Sequence, residues 1–213
     1  MLSKRLFLLF FFTISITYSQ TSTNKFIDSL KTVLNSQKGK EKVMTFIEVS
    51  ERFTGINLDS ATFYGVKAFD LAKKIKDDRL KIIALLQQGN LYRENSKYQK
   101  AISYFEQTLT LSKKIKDSGL IANSYSGLGI VNSRLGNFNT AINHFYNCLP
   151  IYENLKDSVN MARGFLNLAI DLRKIKEFQK SIKYNLKALE FFVRKKDFLN
   201  VAAINNNLGG VYN

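Results

Sequence analysis

His144 and Cys148 are the chain's one histidine and one cysteine, spaced i, i+4. On a helix that spacing brings two side chains to one face, where both could hold a metal ion such as zinc. A zinc site takes three or four protein ligands, so the pair leaves the site incomplete and no metal is expected. One cysteine forms no intramolecular disulfide. The sequence shows no Ser/His/Asp set, no phosphate-cradling glycine loop and no paired carboxylates at a shared spacing. These residue types imply no enzyme activity and no cofactor. What they do offer is charge: 32 Lys and Arg against 17 Asp and Glu, a formal net charge of +15. Such a balance favours an acidic partner (nucleic acid, an anionic envelope surface or an acidic peptide), although lysine also coats solvated helix faces.

The N-terminus narrows that choice. Lys4 and Arg5 precede an apolar run, Leu6–Ile16, broken only by Thr13 and Ser15, and Thr17 and Ser19 supply small residues at the −3 and −1 positions of a cleavage site. This is the three-part plan of a secretory signal peptide over residues 1–19. The run is too short to span a bilayer, which takes about 20 residues. Removing the segment leaves 30 basic against 17 acidic residues, a net charge of +13. The mature chain is therefore expected to be exported, periplasmic or extracytoplasmic, which argues against nucleic acid as the partner. No later stretch is apolar enough to span a membrane, so membrane attachment would require a span downstream.

The elements that carry these residues follow from a repeat. "KKIKD" occurs at Lys73–Asp77 and again at Lys113–Asp117, forty residues on. The same displacement relates Asp77, Asp117, Asp157 and Asp197. It also relates Ala61, Ala101, Ala141 and Ser181, and Gly89, Gly129, Ala169 and Gly209. A lysine-rich background does not place small residues in two registers across four units, so the repeat is structural. Each unit reads as two helices. In the third, Tyr125, Leu128, Gly129 and Asn132 share one face, Gly136 offers a left-handed helix stop, and Ala141, Phe145 and Cys148 share a second face. Gly129 and Ala141 allow close helix approach, so that Phe145 can wedge between pairs. The lysines of "KKIKD" suit the negative end of a helix dipole, and its aspartate is placed to cap the following helix.

This pattern resembles the tetratricopeptide repeat. The second unit carries it as Leu85, Gly89, Tyr92, Ala101 and Phe105, with Thr108 at the usual alanine. The third carries it as Tyr125, Leu128–Gly129, Ala141 and Phe145, with Cys148 at that site. The fourth has Phe165, Leu168–Ala169, Leu172, Ser181, Asn185 and Ala188, with Asn185 in place of the aromatic. The first fits through Phe46, Val49–Ser50, Phe53, Ala61 and Ala68 if its first helix is one residue out of register, which a turn one residue shorter would explain. The family's usual period is about 34 residues; a period of forty lengthens both helices and puts Pro150 inside the third unit's second helix, where it removes one hydrogen bond and is expected to bend it.

The resemblance implies an all-α fold, a right-handed superhelical solenoid of antiparallel helix pairs. The expected organisation is a signal peptide at 1–19, an N-terminal capping helix within 20–39, and an array at 40–213. Its units fall at 40–78, 79–118, 119–158 and 159–198, with a partial fifth at 199–213. The capping helix is read at Asn24–Asn35, with Phe26, Ile27, Leu30, Val33 and Leu34 on one side. The fifth unit holds only a first helix, so the chain reads as a fragment of something longer.

In the resembled family the first helices line a concave face that holds extended segments of other proteins. Matching positions here are Asn90 and Arg93; Asn123 and Arg134; Arg163, Asn167, Arg173 and Lys174; and Asn206. Asn can bond both N–H and C=O of a peptide backbone, and Arg can grip a carboxylate with two parallel bonds. The implied function is a non-catalytic protein-interaction module binding an extended, acidic peptide. A second reading is the extracytoplasmic sensory region of a membrane sensor histidine kinase or of a repeat-containing transcriptional regulator, since signal peptide, "IDSL" helix and forty-residue repeats together resemble the front end of bacterial sensor histidine kinases. Nucleic-acid binding rests on charge alone, lacks interleaved stacking aromatics, and is opposed by the signal peptide.

Overall fold

The computed structural model describes Ser29, residues 32–34 and residues 36–212. The expected signal peptide and most of the expected capping helix lie outside the described residues. Of that helix, Leu34 is buried and Val33 exposed. The chain divides into two compact units, one up to Leu80 and one from Lys81. Every extended element among the described residues is an α-helix.

The first unit is built on α1 (Gly39–Phe53) and α2 (Leu58–Lys74). The burial of Val43, Val49 and Ser50 in α1 matches Ile82, Gln88 and Gly89 at a displacement of 39, so the one-residue shift of register is real. The missing residue does not come from the turn, however. α1 ends at Phe53 and the turn Thr54–Asn57 holds four residues, one more than the connectors further along. The helix gives up two residues and the turn gains one. Asn57 then caps α2, accepting from the Ser60 N–H at 2.8 Å.

The remaining helices are α3 (Asp78–Glu94), whose first three residues precede the division, and, in the second unit, α4 (Tyr98–Lys114), α5 (Ser118–Arg134), α6 (Phe138–Asn154), α7 (Ser158–Lys174), α8 (Phe178–Arg194) and α9 (Phe198–Tyr212). Helices α2 to α8 are each 17 residues long. Seventeen plus a three-residue connector makes twenty, and two such halves make the forty-residue period. Within each unit, consecutive helices pack as antiparallel pairs in chain order, the solenoid arrangement of helical repeats.

The connectors share one chemistry. In each, the second residue is left-handed: Lys76, Ser96, Lys116, Gly136, Lys156, Lys176 and Lys196, with φ between 55° and 81°. That turn lets the third residue's N–H reach back to the helix carbonyl five residues earlier, as from Asp117 to Ser112 at 3.1 Å and Asp157 to Tyr152 at 2.9 Å. The second residue's N–H closes a shorter bond, completing a two-bond helix stop. The glycine stop expected at Gly136 is there; five other connectors reach the left-handed region with lysine. Each repeat-start aspartate then caps the next first helix. Asp77, Asp117, Asp157 and Asp197 accept from the N–H of Leu80, Leu120, Asn160 and Asn200 at 2.9 to 3.1 Å. "KKIKD" is thus a stop and a start in five residues.

Packing explains the small residues. A Cβ on Gly89 or Gly127 would meet the Phe105 ring at 2.7 and 2.6 Å, and one on Gly129 would meet Phe145 at 2.8 Å. Phe105 and Phe145 are fully buried, wedged where only glycine leaves room. In the fourth unit that wedge is replaced by a polar ladder. Asn185 is buried at the aromatic's position and accepts from Asn207 Nδ2 at 3.0 Å, while Ser181 Oγ donates to the Ala169 carbonyl at 2.7 Å. α6 runs through Pro150, which stands on its exposed side.

Candidate functional site

Three successive first helices bring their side chains to one cleft of about 280 Å³, lined by Arg93, Glu94, Ser96, Tyr98, Ile130, Arg134 and Asn167. Arg93 comes from the last turn of α3. Ile130 and Arg134 stand one turn apart on α5, and Asn167 faces in from α7. Ser96 sits in the α3–α4 connector and Tyr98 opens α4. The forty-residue repeat puts these residues together: it returns a first helix to the same place in each unit, with its C-terminal half presenting side chains to the same side.

Arg93 is half-buried and held in place by its neighbour, donating from Nε and Nη2 to Glu94 Oε1 at 3.1 and 2.7 Å. Much of its charge is therefore met within the site. Arg134 is exposed and makes no ion pair among the described residues, so its guanidinium keeps all its donors for a ligand. Asn167 is half-buried and offers both a donor and an acceptor. Tyr98 Oη and Ser96 Oγ lie 3.4 Å apart. The cleft joins one available cation, one amide and two hydroxyls to the apolar side chain of Ile130.

The remaining expected groove residues are placed differently. Asn123 accepts from Tyr152 Oη at 2.9 Å, and Arg173 Nε donates to Asn207 Oδ1 at 2.7 Å. Both side chains tie helices to one another. Asn90 is half-buried one turn before Arg93, whereas Arg163, Lys174 and Asn206 are exposed and line no part of the cleft. Ser96 and Tyr98 were not expected, because the resemblance carries over only first-helix positions and these lie beyond one.

A buried carboxylate stands close by. Asp171, one turn after Asn167 on α7, is fully buried. One of its oxygens accepts from Ser133 Oγ, the residue before Arg134, and the other has no hydrogen-bond partner. Burial pushes its pKa up to about 6, and the Ser133 bond only partly offsets this. The signal for it was in the register: its counterparts one and two repeats earlier are Val131 and Leu91, both fully buried aliphatics.

Among the described residues no three candidate metal ligands cluster, at His144 and Cys148 or elsewhere. Cys148 is fully buried with its Sγ 3.3 Å from the Phe145 carbonyl, and burial pushes its thiol up to about 12. His144 is held below the usual imidazole value by burial and lies against Tyr125, ring centroids 6.0 Å apart. No helix among the described residues is long and apolar enough to cross a membrane.

The sequence model of the tetratricopeptide repeat matches residues 80–154 and 120–193. No curated protein matches the sequence. Solved structures do. Aspartyl phosphate phosphatase F from Bacillus subtilis superposes with a TM-score of 0.75 at 16% identity, over 85% of this chain and 48% of that one. A signal transduction ATPase with numerous domains and a tetratricopeptide repeat sensor, from Pyrococcus horikoshii, gives 0.75 at 17%, over 93% and 31%. A Rap protein complexed with competence and sporulation factor gives 0.76 at 16%, over 92% and 59%. This chain spans about half the length of the first of these and about a third of the second.

Proposed function

The chain belongs to the tetratricopeptide repeat family, and from that premise we propose that it is a non-catalytic protein-interaction module whose cleft holds an extended peptide segment carrying an acidic group. The observation that carries this reading is the convergence of Arg93, Arg134 and Asn167, from three successive first helices, on one cleft. Arg134 supplies the forked donor for a carboxylate, Asn167 matches a peptide unit's N–H and C=O, and Ile130 with Tyr98 gives an apolar contact. The Rap structure supports the reading in so far as a protein of like fold is complexed with competence and sporulation factor. The name phosphatase belongs to the Bacillus protein.

The test is an array of acidic, neutral and basic dodecapeptides probed with the full chain and with Arg134→Glu. Acidic peptides should bind the parent chain and lose at least about tenfold on charge reversal, as expected for a ligand carboxylate left facing a like charge. Equal binding of the two proteins across the array would remove the cleft from consideration. The residue 1–19 pattern supports export, so the mature protein should begin at Gln20; N-terminal sequencing of protein recovered outside the cytoplasm decides it. The resemblance to a tetratricopeptide sensor in a signalling ATPase favours a second reading, a sensory region. In that case occupancy of this same cleft would alter the output of a linked domain.

A further inference from the structure

The first helix pair carries a cavity of its own, of about 460 Å³, within the unit that ends at Leu80. Its apolar surface comes from Phe46 on α1 and Leu71 on α2, and its charged groups are Lys38, Lys42, Lys67, Lys74 and one carboxylate, Asp70. Four ammoniums face one acid, and none of the four lysines makes an ion pair among the described residues. Two of them rest on aromatic faces: Lys42 Nζ lies 5.9 Å from the Phe46 centroid and Lys67 Nζ 5.4 Å from that of Phe63. Phe63 and Val66, both exposed, stand one turn before Lys67 and Asp70 and extend the apolar surface along α2.

We propose that this cavity binds a single-chain anionic amphiphile, with its apolar body on Phe46 and Leu71 and its acidic headgroup among the lysines. The volume lies in the range of small-molecule sites, about 300–1,000 Å³. Lysine is a mobile point charge rather than a rigid fork, so it suits a headgroup of no fixed orientation, carboxylate or phosphate alike. A peptide fits less well. Its N–H groups need acceptors, and lysine only donates. Of the lining side chains that accept, Gln37 already takes the Thr45 hydroxyl at 2.6 Å, which leaves Asp70. The start of α1 adds to the positive field: Lys38 stands where the other first helices have their capping aspartate, and no side chain caps this helix.

The test is calorimetric titration of the full chain with dodecyl phosphate below its micellar concentration, beside dodecyltrimethylammonium and inorganic phosphate. Dodecyl phosphate should bind saturably, one per chain, and each of the other two at least about tenfold more weakly, since each lacks either the charge or the apolar body. Lys42→Gln with Lys67→Gln, changes at one half-buried and one exposed lysine, should leave the circular dichroism spectrum unaltered and weaken binding by about fivefold. Arg134→Glu should leave it unchanged. Equal binding of inorganic phosphate or of the cationic amphiphile would overturn the proposal, as would an unaffected double variant. A glutamate-rich peptide that binds as tightly as dodecyl phosphate, and weakens in the same double variant, would assign the cavity to a peptide and overturn it too.

Discussion

Asp171 is a carboxyl group at a position where the two preceding repeats place Val131 and Leu91, and it should make the protein less stable as pH rises. Its folded pKa is raised to about 6 from an ordinary 3.8. The folded state therefore holds a proton that the unfolded state has released, and stability falls with pH from about 4 until the group is ionised in both states. Between pH 4.5 and 7.5 a shift of that size corresponds to about 2 kcal/mol, and with some relaxation near the cleft we expect 1–2. Asp171→Asn removes the titration and keeps an acceptor for Ser133. Any constant offset from the new amide cancels when the two pH values are compared. Urea unfolding of both proteins at pH 4.5, 6 and 7.5 gives the answer: the variant should gain on the parent by about 1–2 kcal/mol across that span. His144, lowered by burial, changes stability in the opposite sense in both proteins alike and drops out. Parallel curves for the two proteins would refute the reasoning, because they would mean that Asp171 titrates in the native state as it does in the unfolded chain.

Lys156→Gly, at a left-handed φ of 55°, should raise stability by about 0.5–1 kcal/mol, seen as a higher urea midpoint at unchanged slope. Gly127→Ala would put a methyl group 2.6 Å from the Phe105 ring and should cost about 1–3 kcal/mol, with Phe105→Leu in the same chain recovering part of the loss. Cys148, buried with its thiol pushed up to about 12, should resist iodoacetamide at pH 8 in the native protein and react only as the chain unfolds; prompt native-state alkylation would contradict its burial.

The fold was legible because its signals are local and repeated. Capping aspartates and small residues recur at forty, and each was read from a residue type whose conformational or steric role does not depend on distant context. Repeat one shows the limit of such reading. The one-residue offset was visible in Phe46, Ser50 and Phe53, but whether helix or turn gave up the residue depends on where the backbone turns, and Gly55 with Asn57 settles it. The left-handed lysines were illegible, since nothing in lysine itself marks a positive φ. Asn185 was noticed as a missing aromatic, yet its partners Asn207 and Ser181 come from another helix and another turn, which one-dimensional spacing does not join. The cleft was legible only as a set of candidates. Which side chains face it, and which are spent on internal bonds as Asn123 and Arg173 are, is decided by neighbours across the helix pairs.

The uniform division into seventeen helical residues and three connecting ones makes the second unit modular in its chemistry. Excising residues 118–157 would join the connector ending in Asp117 directly to Ser158, and the aspartate would meet the start of α7 as it now meets the start of α5. The same cut would bring Ile170, Lys174 and Asn207 into the register of Ile130, Arg134 and Asn167. A cation would therefore stand again beside Arg93, with ammonium in place of guanidinium, while the amide of Asn207 stays bonded to Arg173 and Asn185. The array can be shortened, or lengthened, in steps of forty residues while its turns stay intact, and each step exchanges the side chains that face a guest without touching the chemistry that holds the helices in line.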